Sequence, residues 1–566
     1  MNISKKTSRI IFIIILIVAA LTRLAFLDRI PIGINDDELH FVLNSKSIFY
    51  NLKNINGNRI NLFSFEASSL LFAPILGLLP TNLFTARLPY ALIGILSIFL
   101  IFKITFTLTK NYNLALITAL VTAINPWSIY VSRTSFDAPV AIFFFLLCLF
   151  LMIRPKPKYI LLSIVPGFLA FNSYIGTKII YFPFVFLSAY FLHKFFNKKY
   201  GLQYFIVVLF SFLITVIYSV LLPNLSTGSR INELLTPNSQ KIVDQVNLER
   251  RQSLQSPLKP LITNKYTVYT RNFIDKYLYS FSTDILFLNG DHAATGSLWK
   301  HGYFYYLDSI LLILGIIYLY KNYLHFLILI SVLLLLSPIP EAVRSDLLPA
   351  YVFHSSLQFP LLCIFVASGI LFFWQTVSNK YFRLLFIFAY VFSFINFLDI
   401  YFFKAPIYQS ESFPVSSRII SKYISLETKN NRQIYFLTRQ PEVMFRNYLF
   451  YTNSFKKSDT SYIDSLYLSS RDNIHYQNVH FINTQEFLPN TDDYILIYDT
   501  DNFIFYNKYP DKFISRLSDA GKIYSIYQGS ACQDTPLETF THNLNLLDLK
   551  IENLSQPQFC QKFITL

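Results

Sequence analysis

Three acidic residues, Asp36, Asp37 and Glu38, stand in a row within IPIGINDDELHFVLNSKSI (residues 30–48), just beyond the apolar run IIFIIILIVAALTRLAFL. A carboxylate held at a membrane surface can take a proton from a hydroxyl group, which is general-base catalysis. Three together could also hold a hard cation such as Mg²⁺ or Mn²⁺, which prefers oxygen ligands. The bland alternative is a solvated acidic turn. Against it, LHFVLNSKSIFYNL follows directly and has the pattern of an amphipathic helix lying in the interface plane. Acids that start such a helix are favoured by its N-terminal dipole.

Further polar residues stand where apolar runs begin or end. Arg87 lies in LFTARLPYALIGIL, Arg133 and Asp137 in NPWSIYVSRTSFDAPVAIF, and Tyr174 and Lys178 in FNSYIGTKIIYFP. An ionisable residue at membrane depth costs about 2.5–3.5 kcal/mol on insertion scales, and less near the ends of a span. Any one of them could be an interfacial anchor that snorkels. Several cations on the acids' side suggest a site that combines a negative phosphate with a general base. Glu66, Asp291, His301 and His354 complete the candidate set.

The elements that must position these residues are membrane spans. The chain has 566 residues, 53% hydrophobic and 14% charged, whereas soluble domains carry about 25% charged residues. Apolar runs lie near 10–27, 88–108, 114–131, 138–153, 159–173, 178–193, 203–222, 303–320, 323–337, 351–374 and 382–400, which predicts about eleven transmembrane helices. A cleaved signal peptide is the alternative for the first run, but ten more follow and no small-x-small cleavage site is clear. With the N-terminus in the cytoplasm, the even-numbered connections are KNYN, RPKPK, HKFFNKKYG, YKNY and SNKYFR, and every charge in them is Lys or Arg. The positive-inside rule therefore puts the acids on the extracytoplasmic face of a multi-pass cell-membrane protein. The same rule explains the net charge of +15 without nucleic acid.

The outer side then holds segments 28–86 and 223–302 and a tail, 401–566, following a membrane domain over 1–400. Runs at 432–438, 478–484, 492–499 and 521–529 read as strands, with helical patterns at 441–452 and 502–520. That alternation predicts a small extracytoplasmic α/β domain without a nucleotide-binding glycine loop. Cys148 and Cys363 lie in apolar runs and read as buried hydrophobes. Cys532 and Cys560, in the polar tail, could form one disulfide outside the cell.

PIGINDDE resembles the P-x-G-(apolar)-x-x-D-E signature of the GT-C glycosyltransferases, in the branch of protein O-mannosyltransferases and aminoarabinose transferases, and most of all bacterial family-39-type members. Pro31, Gly33, Asp37 and Glu38 occupy its positions. ARLPYALIG, NPWSIYVSRTSFD, SYIGTKIIYFP, FSTDILFLNGD with KHGYFYYLDSILLILG, and SPIPEAV resemble that family's further elements, in order across residues 20–370. In one departure, His354 stands in AYVFHSSLQFP near a position where the family often carries Arg.

The resemblance implies a GT-C fold, a sugar donor linked to polyprenyl phosphate, and inverting transfer on the outer face to a hydroxyl of a protein, lipid or glycan. It implies Asp37 as base, Asp36 as runner-up and Glu38 as an orienting acid, with Arg133 and Lys178 on the phosphate. Some relatives use a divalent cation, which the acid triplet could hold. The competing class is a transporter or flippase of a lipid-linked or small anionic substrate, whose path charged residues would line. Such folds usually have repeated halves, and no half-to-half similarity is visible. A scaffold built around the tail would leave the membrane acids unexplained.

Overall fold

The computed structural model describes residues 5–60, 66–221, 239–292, 295–344, 351–457, 472–489, 493–505, 509–537 and 544–566. Its helices are α1 (Lys5–Leu24), α2 (Asp36–Asn51), α3 (Ala67–Leu78), α4 (Leu83–Thr109), α5 (Tyr112–Ile124), α6 (Pro126–Ser132), α7 (Ala138–Ile153), α8 (Pro157–Leu162), α9 (Ile164–Ser173), α10 (Thr177–Phe195) and α11 (Gly201–Leu221). Three helices of the second outer segment follow: α12 (Gln240–Gln252), α13 (Lys259–Ile262) and α14 (Lys265–Tyr279). The chain then re-enters the bundle with α15 (Tyr306–Asn322), α16 (Leu324–Leu336), α17 (Ile339–Ala342), α18 (Gln358–Thr376) and α19 (Lys380–Asp399).

All eleven apolar runs fold as helices, but they are unequal. Among the described residues, six helices are long and apolar enough to cross a membrane alone, and a seventh forms if the bent pair α5–α6 counts as one. That pair turns by 59° at Asn125–Pro126. Pro126 cannot donate to the preceding turn, and the Asn125 side chain accepts from the Ser128 amide at 3.0 Å, starting a new helix there. The run at 159–173 is likewise divided, into α8 and α9, and α7 has only 16 residues. Close approach of α15 and α18 depends on glycine. A Cβ on Gly315 would lie 1.9 Å from the Phe365 carbonyl oxygen, and one on Gly369 2.0 Å from that of Leu311. Small residues at such a crossing let two backbones pack directly.

The basic connections gather at one end of the bundle. Asn111 donates to the Tyr323 hydroxyl at 3.1 Å, Tyr200 to the Pro155 carbonyl at 2.8 Å, and Phe195 stacks on His325 at 4.4 Å. Glu38 meets Arg87 in the first turns of α4, whereas KNYN follows its last turn, so the acids lie at the other end of that helix.

The last membrane helix does not stop at 400. A π-helical stretch, Ile400–Lys404, carries it into α20 (Ala405–Tyr408), after which α21 (Val415–Glu427) opens the tail domain. Six strands follow, β1 (Ile434–Leu437), β2 (Asn473–Tyr476), β3 (Val479–Ile482), β4 (Ile495–Asp499), β5 (Lys512–Ser515) and β6 (Lys522–Tyr527), with α22 (Pro441–Tyr451) after β1 and α23 (Gln556–Phe563) near the end. The sheet order is β2-β3-β1-β4-β6-β5, parallel at β3-β1-β4 and antiparallel at both flanks. The helix expected over 502–520 is not there. Residues 512–515 instead form edge strand β5, because the Arg516 amide bonds to the Gly521 carbonyl at 2.7 Å and closes a hairpin with β6. Residues 506–508 of that stretch lie outside the described residues. Cys532 and Cys560 are bridged, whereas Cys148 and Cys363 are free and buried. One cluster of buried apolar side chains runs from the membrane helices into the sheet through Ile32, Ile34, Phe413, Val415 and Ile419.

Candidate active site

The acid triplet forms the first turn of α2. Asn35 caps it: its side chain accepts from the Asp37 amide at 3.0 Å, and its own amide donates to Glu38 Oε2 at 3.0 Å. Successive residues on a helix are turned by about 100°, so the three carboxylates point three ways. Glu38 faces inward and is fully buried. It accepts from Arg87 Nε at 3.3 Å and from the Ser135 amide at 2.7 Å. Asp36 keeps contact with solvent and lies within the field of Arg446 on α22. Partial burial, and then the neighbouring Asp37 charge, raise its pKa. Asp37 is exposed as well, and its charge reaches Tyr351 and Asp137.

The three carboxylates therefore do not share one face of the first turn. Among the described residues no group of three or more His, Cys, Asp or Glu could hold a metal ion. α2 packs against α3 and α22, and even Asn44, Ser45, Lys46 and Ser47 are buried.

Two of the expected phosphate cations belong to the scaffold. Arg87 is fully buried. Besides Glu38, it donates to the Pro31 carbonyl at 2.7 Å and to the Gly33 carbonyl, and it packs on the Phe413 ring. Arg133 is equally buried, donates to the carbonyls of Thr22 at 3.0 Å and Ile30 at 2.9 Å, and stacks on Phe402 at 4.9 Å. Each guanidinium therefore fixes the backbone of the loop before α2. His301 is also structural, with Nδ1 2.6 Å from the Gly302 carbonyl oxygen and its ring against Phe397. Asp291 accepts from the Val352 amide at 2.8 Å, and so holds the segment that carries Tyr351.

Of the remaining candidates, Tyr174 and His354 come together. Tyr174 meets His354 through its hydroxyl, 2.5 Å from Nδ1, and the two rings stack. His354 also packs edge-on against Tyr351. A Cβ on Gly176 would lie 3.0 Å from Tyr174, 3.2 Å from His354 and 3.3 Å from Pro340, which shows how tightly these segments meet. Asp137 and Glu341 act electrostatically on Tyr174, as does Arg344 with the opposite sign. Arg344 donates to Glu341 Oε2 at 3.0 Å. Lys178 stands one turn beyond Tyr174, over the rings of Phe171 and Tyr218, and one of its three donors reaches the Phe171 carbonyl at 3.1 Å. Glu66 borders the cluster. It accepts from His40 at 3.1 Å, Asn44 at 2.7 Å and Ser69 at 2.9 Å. Burial alone would raise its pKa, but these hydrogen bonds outweigh burial and hold it below the ordinary carboxylate value. Outside the membrane-spanning segments, burial and then the Asp37 charge hold the proton on the Tyr351 phenol.

Tyr351, Glu341 and Arg344 were not singled out from the sequence. A usable signal was present: SPIPEAVRSDLLPAYVFHSS, between two apolar runs, carries acid, base and aromatic residues together. Arg344 also supplies a cation in the region where the sequence offered only His354.

No family model matches the chain, and no curated protein does. Among solved structures it is similar to ArnT from Cupriavidus metallidurans bound to undecaprenyl phosphate, at 12% identity, covering 93% of this chain and 99% of that chain with a TM-score of 0.49. The apo state of that protein gives 10% identity, coverage of 92% and 98%, and a TM-score of 0.48. The S. cerevisiae protein O-mannosyltransferase complex Pmt1-Pmt2, bound to its sugar donor, gives 14% identity, coverage of 42% and 36%, and a TM-score of 0.30.

Proposed function

We propose that this chain is a GT-C-type membrane glycosyltransferase that moves a sugar from a polyprenyl-phosphate carrier to an acceptor hydroxyl, with Asp37 as the general base. One observation carries the reading. Of the three acids, Asp37 is the one whose charge reaches both Asp137 and Tyr351, and Tyr351 packs on the Tyr174–His354 pair. The positive-inside rule makes the acids' end of the bundle extracytoplasmic.

In this reading Asp37 takes the proton of the acceptor hydroxyl as its oxygen attacks the anomeric carbon. The bond from that carbon to the phosphate oxygen breaks, its electron pair leaves with the phosphate, and the configuration inverts. Negative charge develops on the leaving oxygen, where fixed cations in a water-poor site stabilise it most. Lys178 and Arg344 take that role here, since Arg87 and Arg133 are engaged with backbone carbonyls.

The test is a proteoliposome assay with a polyprenyl-phosphate sugar and a mixture of hydroxyl acceptors. The reading requires free polyprenyl phosphate and a glycoside of inverted configuration. Intact donor appearing on the opposite leaflet without bond cleavage would contradict it and establish a transporter.

A further inference from the structure

The loop that precedes the acids is held from two sides. Four consecutive carbonyls are bonded to three arginines: Ile30 to Arg133 at 2.9 Å, Pro31 to Arg87 at 2.7 Å, Ile32 to Arg418 at 2.6 Å, and Gly33 to Arg87. The next amide, Ile34, donates to the Tyr451 hydroxyl at 2.9 Å. Ile30, Pro31 and Gly33 meet Arg133 and Arg87 of the membrane domain, while Ile32 and Ile34 meet Arg418 and Tyr451 of the tail domain. Gly33 is required for this contact, because a Cβ there would lie 2.4 Å from the Phe413 carbonyl oxygen.

The tail side of the clamp is itself braced. Arg418 is 1% exposed and forms a fork with Glu552, Nε to Oε1 at 2.6 Å and Nη2 to Oε2 at 2.5 Å. Bidentate pairs of this kind fix direction as well as supplying energy. Glu552 lies inside the segment closed by the Cys532–Cys560 disulfide, and its carbonyl takes a further bond from Lys422 at 3.1 Å. Two residues beyond Gly33, Asn35 caps α2, so the position of the clamped loop sets the position of Asp37.

We propose that Arg418 and Tyr451 are positioning residues, through which the C-terminal sheet domain fixes the catalytic acid of the membrane domain. This rests on the glycosyltransferase reading above. The tail has no chemistry of its own in this account; it completes the seat of the base. A displacement near 1 Å can cost about a hundredfold in rate. Removing one clamp bond should therefore lower turnover while leaving donor binding, on Lys178 and Arg344, in place.

The experiment compares full-length Tyr451→Phe, Arg418→Lys and Arg418→Met with Tyr423→Phe. The last removes a buried hydroxyl bond to Glu427, 2.7 Å long, that does not touch the loop. Expected are a fall in kcat of about tenfold for Tyr451→Phe and about a hundredfold for Arg418→Met, donor KM within about twofold, and unchanged kcat for Tyr423→Phe. Arg418→Lys, which keeps a donor for Ile32, should fall between. Hydrogen exchange over residues 30–38 should quicken in the clamp variants only. Normal kcat in Tyr451→Phe and Arg418→Lys, or an equal loss in Tyr423→Phe, would overturn the positioning role while wild-type protein still transfers sugar. Wild-type protein that transfers none would overturn the function reading instead, and unchanged loop exchange would then refute the clamp as well.

Discussion

Replacing Glu38 by Gln exchanges one oxygen for an amide and keeps the side chain's size. In the folded protein Oε1 accepts from Arg87 Nε and the Ser135 amide, while Oε2 accepts from the Asn35 amide and, at 3.4 Å, from Arg87 Nη2. A glutamine can keep the first pair. Its NH₂ then faces two donors, so the bond from the Asn35 amide is lost and the fully buried Arg87 has no counter-charge. Breaking a buried pair by removing one partner costs about 3–5 kcal/mol. At about 1.4 kcal/mol per decade, that is roughly a hundred- to several-thousand-fold in the folded population. The assay is unfolding of purified protein in one detergent for Glu38→Gln, Arg87→Met and the double variant. Each single change should destabilise by that amount. The double should lose clearly less than the sum, since it leaves no unpaired charge. Wild-type stability in Glu38→Gln, with transfer abolished, would refute the reasoning and make Glu38 part of the chemistry.

Three further outcomes follow from the same geometry. Glu66 has a folded pKa below its unfolded one, so its contribution to stability is full above the ordinary carboxylate value and fades as pH falls through the lowered value. Unfolding temperature against pH should therefore lose its acid limb in part in Glu66→Gln, and an unaltered limb would contradict this. Lys178→Ala and Arg344→Ala should each weaken binding of a polyprenyl-phosphate probe as well as rate, because the phosphate is charged before and after the transition state; unchanged binding in a direct titration would remove them from the phosphate site. Alkylation without reductant should label neither Cys532 nor Cys560, and labelling of Cys532 in oxidised protein would contradict the bridge.

What the sequence revealed and what it hid divide along physical lines. Apolar runs are local, so α4, α11 and α19 were readable as spans, and the acid row and its helix were readable from spacing alone. The phase of that helix was not readable. Which carboxylate turns inward depends on where Asn35 begins the first turn and on Arg87, far along the chain. Arg87 and Arg133 show the same limit. A guanidinium at the mouth of a span looks alike in sequence whether it meets a phosphate or a loop carbonyl, and here the loop takes it. In the tail, β1, β3, β4 and β6 stood out as apolar runs, whereas the stretch around β5 places Phe513 and Leu517 at a helical spacing, and β5 becomes a strand only because β6 supplies its backbone partners.

The measurement that bears most directly on the central claim is single-turnover transfer from a polyprenyl-phosphate sugar by Asp37→Asn and Asp36→Asn, with donor binding measured on the same preparations. Asp37→Asn keeps the shape of the side chain and removes the proton acceptor. It should lower turnover by at least the roughly 10²–10⁴-fold typical of general acid–base groups, with donor binding largely intact. Asp36→Asn, on the turn facing Arg446, should keep most of the activity. The opposite pattern would move the base to Asp36, and near-normal transfer by both variants would leave the acid row a solvated turn with no part in catalysis.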